Sequence, residues 1–140
     1  MSLAPDDERL ARFGQTGFDR ALTGMRVETV GEGRAVVLLD VGDSVLNPVG
    51  TLHGGAIATL VDDAGTLAIM SADAEGRSGV TTDLNVSYLA AAPLGTTVRA
   101  DARALKTGAT LAFVEVDVRG ADGRLLAQGR MTKFMPRARR

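Results

Sequence analysis

Between Leu52 and Met70 the apolar residues return at helical spacing. At 100° per residue, Ile57, Leu60, Val61, Ala64, Leu67 and Ala68 share one stripe, which predicts a helix buried along that side. The opposite side carries Gly55, Ala58, Thr59, Asp62, Gly65 and Thr66, all small except the single carboxylate. Solvated helix faces usually carry Lys, Glu, Gln and Arg, which favour helix and keep a chain soluble. Two readings therefore stand side by side. The helix is a tightly packed core element with Asp62 and Asp63 toward water, or its small face receives a second backbone.

The rest of the chain reads as short elements around this helix. Pro5 to Phe13 predicts a short helix, with Pro5 near its start and Asp6, Asp7 and Glu8 in the first turn. Thr16 and Asp19 are spaced as a capping-box variant before a second short helix that ends by Gly24. Strands are expected over Met25–Val30 and Arg34–Val41, joined at Gly31-Glu32-Gly33, followed by a loop from Gly42 to Leu52. Four more follow the long helix: Val80–Leu89, Thr97–Lys106, Thr110–Arg119 and Leu125–Met135. Alternation is plain in Val114, Val116 and Val118 against Glu115, Asp117 and Arg119. Turns of hairpin length imply an antiparallel sheet, because parallel neighbours need long crossovers. The pattern is α+β, with one sheet burying one helix.

Composition narrows the chemistry. The 140 residues suit one domain with a proper core, 45% of them hydrophobic, and a net charge of −1 argues against nucleic-acid binding. Without cysteine there is no disulfide, thiolate metal site or cysteine nucleophile, and a lone His53 excludes a multi-histidine metal centre. Met1 to Phe13 is acidic and lacks the apolar core of a secretory signal. No apolar run is read as approaching the ~18 residues of a membrane span. A cytoplasmic protein with no membrane partner is the expectation. The basic cluster Arg137, Arg139 and Arg140 reads as a solvated tail, with phosphate contact as the alternative.

No G-x-S-x-G elbow, H-E-x-x-H, Walker A loop or G-x-G-x-x-G after a strand occurs. The polar candidates are Asn47, His53-Gly54-Gly55, Asp62 and Thr81, all around the long helix. Glycines at a helix entrance leave backbone N–H groups free to stabilise an oxyanion, each good donor contributing roughly 2.7–4 kcal/mol. A plain tight helix entry would show the same glycines. Asp62 in mid-helix gains nothing from capping, and a half-dry crevice would suit it to general-base work. Gly54 and Asp62 stand eight residues apart, about 12 Å along a helix, too far to act on one carbonyl. An antiparallel second copy, with its two-fold axis near Ala58, would bring them together in two equivalent sites.

Asn47, His53-Gly54-Gly55 six residues on, Asp62 nine after that histidine, and Val80-Thr81-Thr82-Asp83-Leu84-Asn85-Val86-Ser87-Tyr88-Leu89 together resemble the hotdog-fold thioesterases. The similarity is to the branch holding the bacterial phenylacetyl-CoA thioesterase of phenylacetic acid degradation and its mammalian acyl-CoA thioesterase relatives. It implies a single hotdog thioesterase domain over residues 1–140: a curled antiparallel sheet of five to six strands wrapped around one long helix. It also implies hydrolysis of acyl-CoA without metal or cofactor. Asp62 would activate water or attack the thioester, the Gly54 amide would polarise the carbonyl, and Asn47 would assist there. His53 would shape the loop and Thr81 would position the water. Gly55, Thr82 and Asp63 would face the substrate, and Asp63, one position off the pattern, could exchange roles with Asp62. In this resemblance Val80–Leu89 is an edge strand pairing with its symmetry mate, giving a homodimer and then a homotetramer. Lys106, Lys133, Arg103 and the C-terminal arginines are candidates for CoA phosphate contacts. A non-catalytic acyl-CoA sensor and a hotdog enoyl-CoA hydratase are the competing functions.

Overall fold

The computed structural model describes residues 3 and 6–137. Six strands, β1 (Met25–Gly31), β2 (Arg34–Asp40), β3 (Val80–Tyr88), β4 (Thr97–Thr107), β5 (Leu111–Arg119) and β6 (Leu125–Phe134), form one antiparallel sheet ordered β1-β2-β4-β5-β6-β3. The sheet wraps the single long helix α1 (Gly54–Ala72). This is the hotdog arrangement. All six stripe residues of α1 are buried, each exposed by 3% or less. Each such Leu, Ile or Val contributes roughly 1.5–3 kcal/mol by leaving water.

The fit between helix and sheet depends on glycine. A Cβ at Gly129 of β6 would lie 2.5 Å from Val61 Cγ1, and one at Gly65 of α1 would lie 2.7 Å from Met131 Cε. Here the structure departs from the helical-wheel reading. Gly65 and Thr66 were expected on the open small face, yet both are buried. From Asp63 to Ser71 every residue of α1 is enclosed, whereas Gly54, Gly55, Ala56, Ala58, Thr59 and Asp62 are half-buried or exposed. The wheel treats the helix as uniform along its axis, but the curled sheet and the N-terminal segment close over its second half.

α1 also has the length and apolar character of a membrane span, contrary to the sequence reading; its apolar side is occupied by the sheet. The N-terminal helices are short 3-10 segments, Glu8–Arg12 and Gly17–Leu22. Asp7 caps the first, its carboxylate accepting from Arg9 N, so the helix starts later than expected; Pro5 lies outside the described residues. The Thr16–Asp19 capping box does not form. Thr16 Oγ1 donates to Arg12 O, while Asp19 reaches back to accept from Gly14 N at 3.2 Å. Arg137 is exposed, and Arg139 and Arg140 lie outside the described residues.

β3 takes the sheet edge, as the resemblance implied, and none of its nine residues is buried. Among the described residues it pairs only with β6, and a bulge at Thr82 separates Thr81, opposite Lys133, from Asp83, opposite Thr132. Thr81 thereby faces inward beside Lys133, while Thr82 Oγ1 donates to Thr132 O and pins the bulge.

Candidate active site

The entrance of α1 is built by its cap. His53 is the N-cap residue, with φ −65° and ψ 135°, and its Nδ1 accepts from Gly55 N at 2.8 Å. A Cβ at Gly55 would sit 3.0 Å from that nitrogen, so a side chain there would push the ring aside. Tyr88 Oη donates to Gly54 O at 2.9 Å, fixing the first peptide of the helix to the edge strand. Among the described residues Gly54 N has no acceptor. It points outward at the positive end of the helix dipole, where a developing oxyanion would be stabilised.

Asn47 organises the preceding loop. Its Oδ1 accepts from Val49 N and Thr51 N, and its Nδ2 donates to Thr51 Oγ1 at 2.8 Å. One N–H of the amide remains for another acceptor. Within the chain the structure joins His53 to Gly55, Gly54 to Tyr88, and Asn47 to Thr51.

Two turns along the helix, Asp62 is half-buried and its Oδ1 accepts from Thr81 Oγ1 at 2.9 Å. That bond ties the mid-helix carboxylate to the edge strand at one oxygen and leaves the other lone pairs to act on water. Asp63 is a different group. It was expected to face substrate, but adjacent helix residues point 100° apart, and Asp63 turns into the interior with 9% exposure. Its Oδ2 is buried without a hydrogen-bond donor. Burial, reinforced by the neighbouring carboxyls of Asp19 and Asp62, pushes the Asp63 carboxyl up to about 8, against the pull of Lys133. At neutral pH it holds its proton, so it is unsuited to be the base. The two neighbouring carboxyls are thus separated by environment, a common route to distinct acid and base roles.

Lys133 was a candidate for CoA phosphates. It is buried instead, 4% exposed on the inner face of β6, and cannot reach solvent phosphate. Burial lowers its ammonium from the usual range, while the Asp62 and Asp63 charges hold it up. Arg103 is paired with Glu115. Reasoning from sequence missed Tyr88 and Asp19 as participants. Strand alternation carried a signal for Lys133, since Met131, Lys133 and Met135 share the inner face.

A curled sheet around one helix, with a carboxylate on the helix's open half and a free amide donor at its entrance, defines a hotdog protein of the thioester-hydrolysing kind. The profile of the thioesterase superfamily matches residues 49–127, more than half of the chain. Human acyl-coenzyme A thioesterase 13 is 40% identical over 119 residues, covering 84% of each chain. The crystal structure of zebrafish thioesterase superfamily member 2 superposes with a TM-score of 0.89 at 40% identity, covering 96% of this chain and 100% of that one. A hypothetical thioesterase from Streptococcus pneumoniae, solved with coenzyme A, gives 0.79 at 29% identity over 86% and 92%. The chain belongs to the thioesterase superfamily.

Proposed function

We propose that the protein hydrolyses acyl-CoA thioesters to free acid and CoA at two equivalent sites of a homodimer. Asp62 removes a proton from a water held with Thr81, and the nascent hydroxide attacks the thioester carbonyl. The oxyanion is received by the Gly54 amide of the partner subunit, with the spare Asn47 N–H assisting. Collapse of the tetrahedral intermediate breaks the C–S bond, and the thiolate of CoA leaves and takes up a proton. A thioester is activated enough for one base and one oxyanion site, so no cofactor is required by this scheme. A carboxylate nucleophile at Asp62 would use the same groups.

The observation that carries this reading is the Asp62–Thr81 pair on the open half of α1, set eight residues from an unengaged Gly54 N–H. At 1.5 Å rise these lie about 12 Å apart, so an antiparallel copy of the helix is needed to close the site. The uncovered strand β3 supports such a copy by offering its unpaired edge. Beside His53 and Gly55, a cavity of ≈ 230 Å³ lined by Phe18, Leu22, Val45, Leu46 and Ala56 offers apolar room for the acyl group. We extend the same reading to a dimer of dimers in the cytoplasm.

The test measures free thiol released from benzoyl-, phenylacetyl- and fatty acyl-CoA by wild type and Asp62→Asn. The expected loss in kcat is on the order of 10²–10⁴, with KM little changed. Hydrolysis at the wild-type rate by Asp62→Asn removes the proposed base. Hydration of crotonyl-CoA in the same panel would favour the hydratase, and binding without turnover the sensor. Sedimentation showing an active monomer would end the shared-site account.

A further inference from the structure

Among the described residues two side chains of the edge strand β3 hydrogen-bond to α1, and the scheme above uses one of them. Near the start of the strand Thr81 Oγ1 donates to Asp62 Oδ1 at 2.9 Å; at its end Tyr88 Oη donates to Gly54 O, also at 2.9 Å. Thr81 and Tyr88 are an odd number of residues apart, so on a regular strand they would point to opposite faces. The bulge at Thr82 removes one step. Thr81 pairs with Lys133 and Tyr88 with Ala127, an even number of residues apart on β6, and both partners are buried on the inner face. The extra residue thereby turns both β3 side chains toward the helix.

Tyr88 acts on a peptide that is held at both ends. The Gly54–Gly55 unit accepts from Tyr88 at its carbonyl and donates from Gly55 N to His53 Nδ1 at 2.8 Å. Glycine has the widest backbone freedom of any residue, and this unit adjoins the unengaged Gly54 N–H. With both ends fastened the peptide plane cannot swing, and the direction of that N–H is set. The Tyr88 ring lies beside the same residue, its Cε1 3.4 Å from where a Cβ on Gly54 would stand. An exposed tyrosine has water within reach of its hydroxyl, yet this one is spent on the main chain.

From this geometry we infer that Tyr88 is a positioning residue, its hydroxyl seating the Gly54–Gly55 peptide so that the Gly54 N–H is aimed at the oxyanion. This rests on the reading of Gly54 as the oxyanion donor. A donor aimed in advance needs no reorganisation when charge develops, so its aim is felt in kcat more than in ground-state binding. The bond from Tyr88 strengthens as substrate displaces water from the helix entrance. One strand then serves both sites of the dimer: its start holds the base of one site, and its end holds the amide of the other.

The experiment compares wild type, Tyr88→Phe and Tyr88→Leu in the full chain by thiol release from an acyl-CoA and by NMR. Tyr88→Phe keeps the ring and should lower kcat about fivefold, the worth of one neutral hydrogen bond, with KM within about twofold. Tyr88→Leu, which also loses the ring, should lower kcat at least as far. The chain has one histidine, so its imidazole signals belong to His53. In Tyr88→Phe those signals should shift and Gly55 N–H should exchange with solvent about fivefold faster, while amides of β4 and β5 keep their rates. A wild-type kcat in Tyr88→Phe overturns the inference, as does a loss confined to KM, which would make Tyr88 a substrate contact. So does faster exchange throughout the sheet, the sign of a merely structural role. If the Gly55 and His53 signals respond but wild type releases no thiol, the fastening stands and the reading of Gly54 as oxyanion donor falls instead.

Discussion

The two halves of α1 have the same helical geometry and opposite fates. From Gly54 to Asp62 one side is open, the side chains are small, and the polar atoms that remain unengaged face outward. From Asp63 to Ser71 the helix is enclosed on every side. The enclosed half also ends in the opposite electrostatic condition from the one in which it begins. Asp63, 9% exposed, has an acceptor with no donor and is pushed up to about 8. Asp73, the C-cap residue, is 4% exposed and accepts from Glu75 N, Arg77 N and the Arg77 guanidinium. Those side-chain bonds to Arg77 hold its carboxyl below the usual range despite burial. Depth alone therefore says little about a carboxylate; the donors delivered to it decide its charge.

The contrast can be broken in order of effect. Asp62→Asn, in the open half, should remove two or more orders of magnitude of turnover while leaving the denaturation midpoint unchanged; a large fall in stability would mean Asp62 is structural. Asp73→Ala should do the reverse, destabilising by about 2–3 kcal/mol in urea titrations because Arg77 and two amides lose their acceptor. Gly129→Ala probes the sheet over the helix, and its added methyl against Val61 should cost roughly 1–3 kcal/mol. A variant as stable as wild type would show that the contact relaxes freely.

The buried Asp63 gives the contrast its clearest pH signature. Asp63 is raised from 3.8 to about 8 in the folded chain, so between those values the native state keeps a proton that the unfolded state has released. Its contribution to stability is full below pH 3.8 and is lost progressively as pH rises toward about 8. Asp63→Asn lacks that loss and should gain on wild type with each step from pH 5 to pH 8, read by urea midpoints. Parallel curves for the two proteins would contradict the protonated state assigned to Asp63.

Much of this was legible in the residues. The stripe of α1 was read correctly because apolar burial follows helical period, and β3 was placed at the edge through its resemblance. The enclosed half was not legible, since Gly65 and Thr66 are small on any wheel and only the sheet's curvature decides that both are buried, Gly65 against Met131 and Val114. Lys133 was a candidate for phosphate contact by residue type, although its strand's alternation pointed inward. The bulge at Thr82, and the failure of Thr16 and Asp19 to form a cap, depend on contacts distant in sequence. For the candidate site, the residues came from motif spacing, but the unequal environments of Asp62 and Asp63 needed the fold.

The cap at His53 has a consequence for hydrogen-bond polarity. Because Nδ1 receives the Gly55 proton, the neutral ring must carry its own proton on Nε2, and the imidazole is locked into one tautomer by the helix it starts. Whatever approaches the rim of the entrance meets a fixed donor from that ring. A second proton would turn the capping nitrogen from acceptor to donor, and the first turn of the helix would lose its fastening at the same moment.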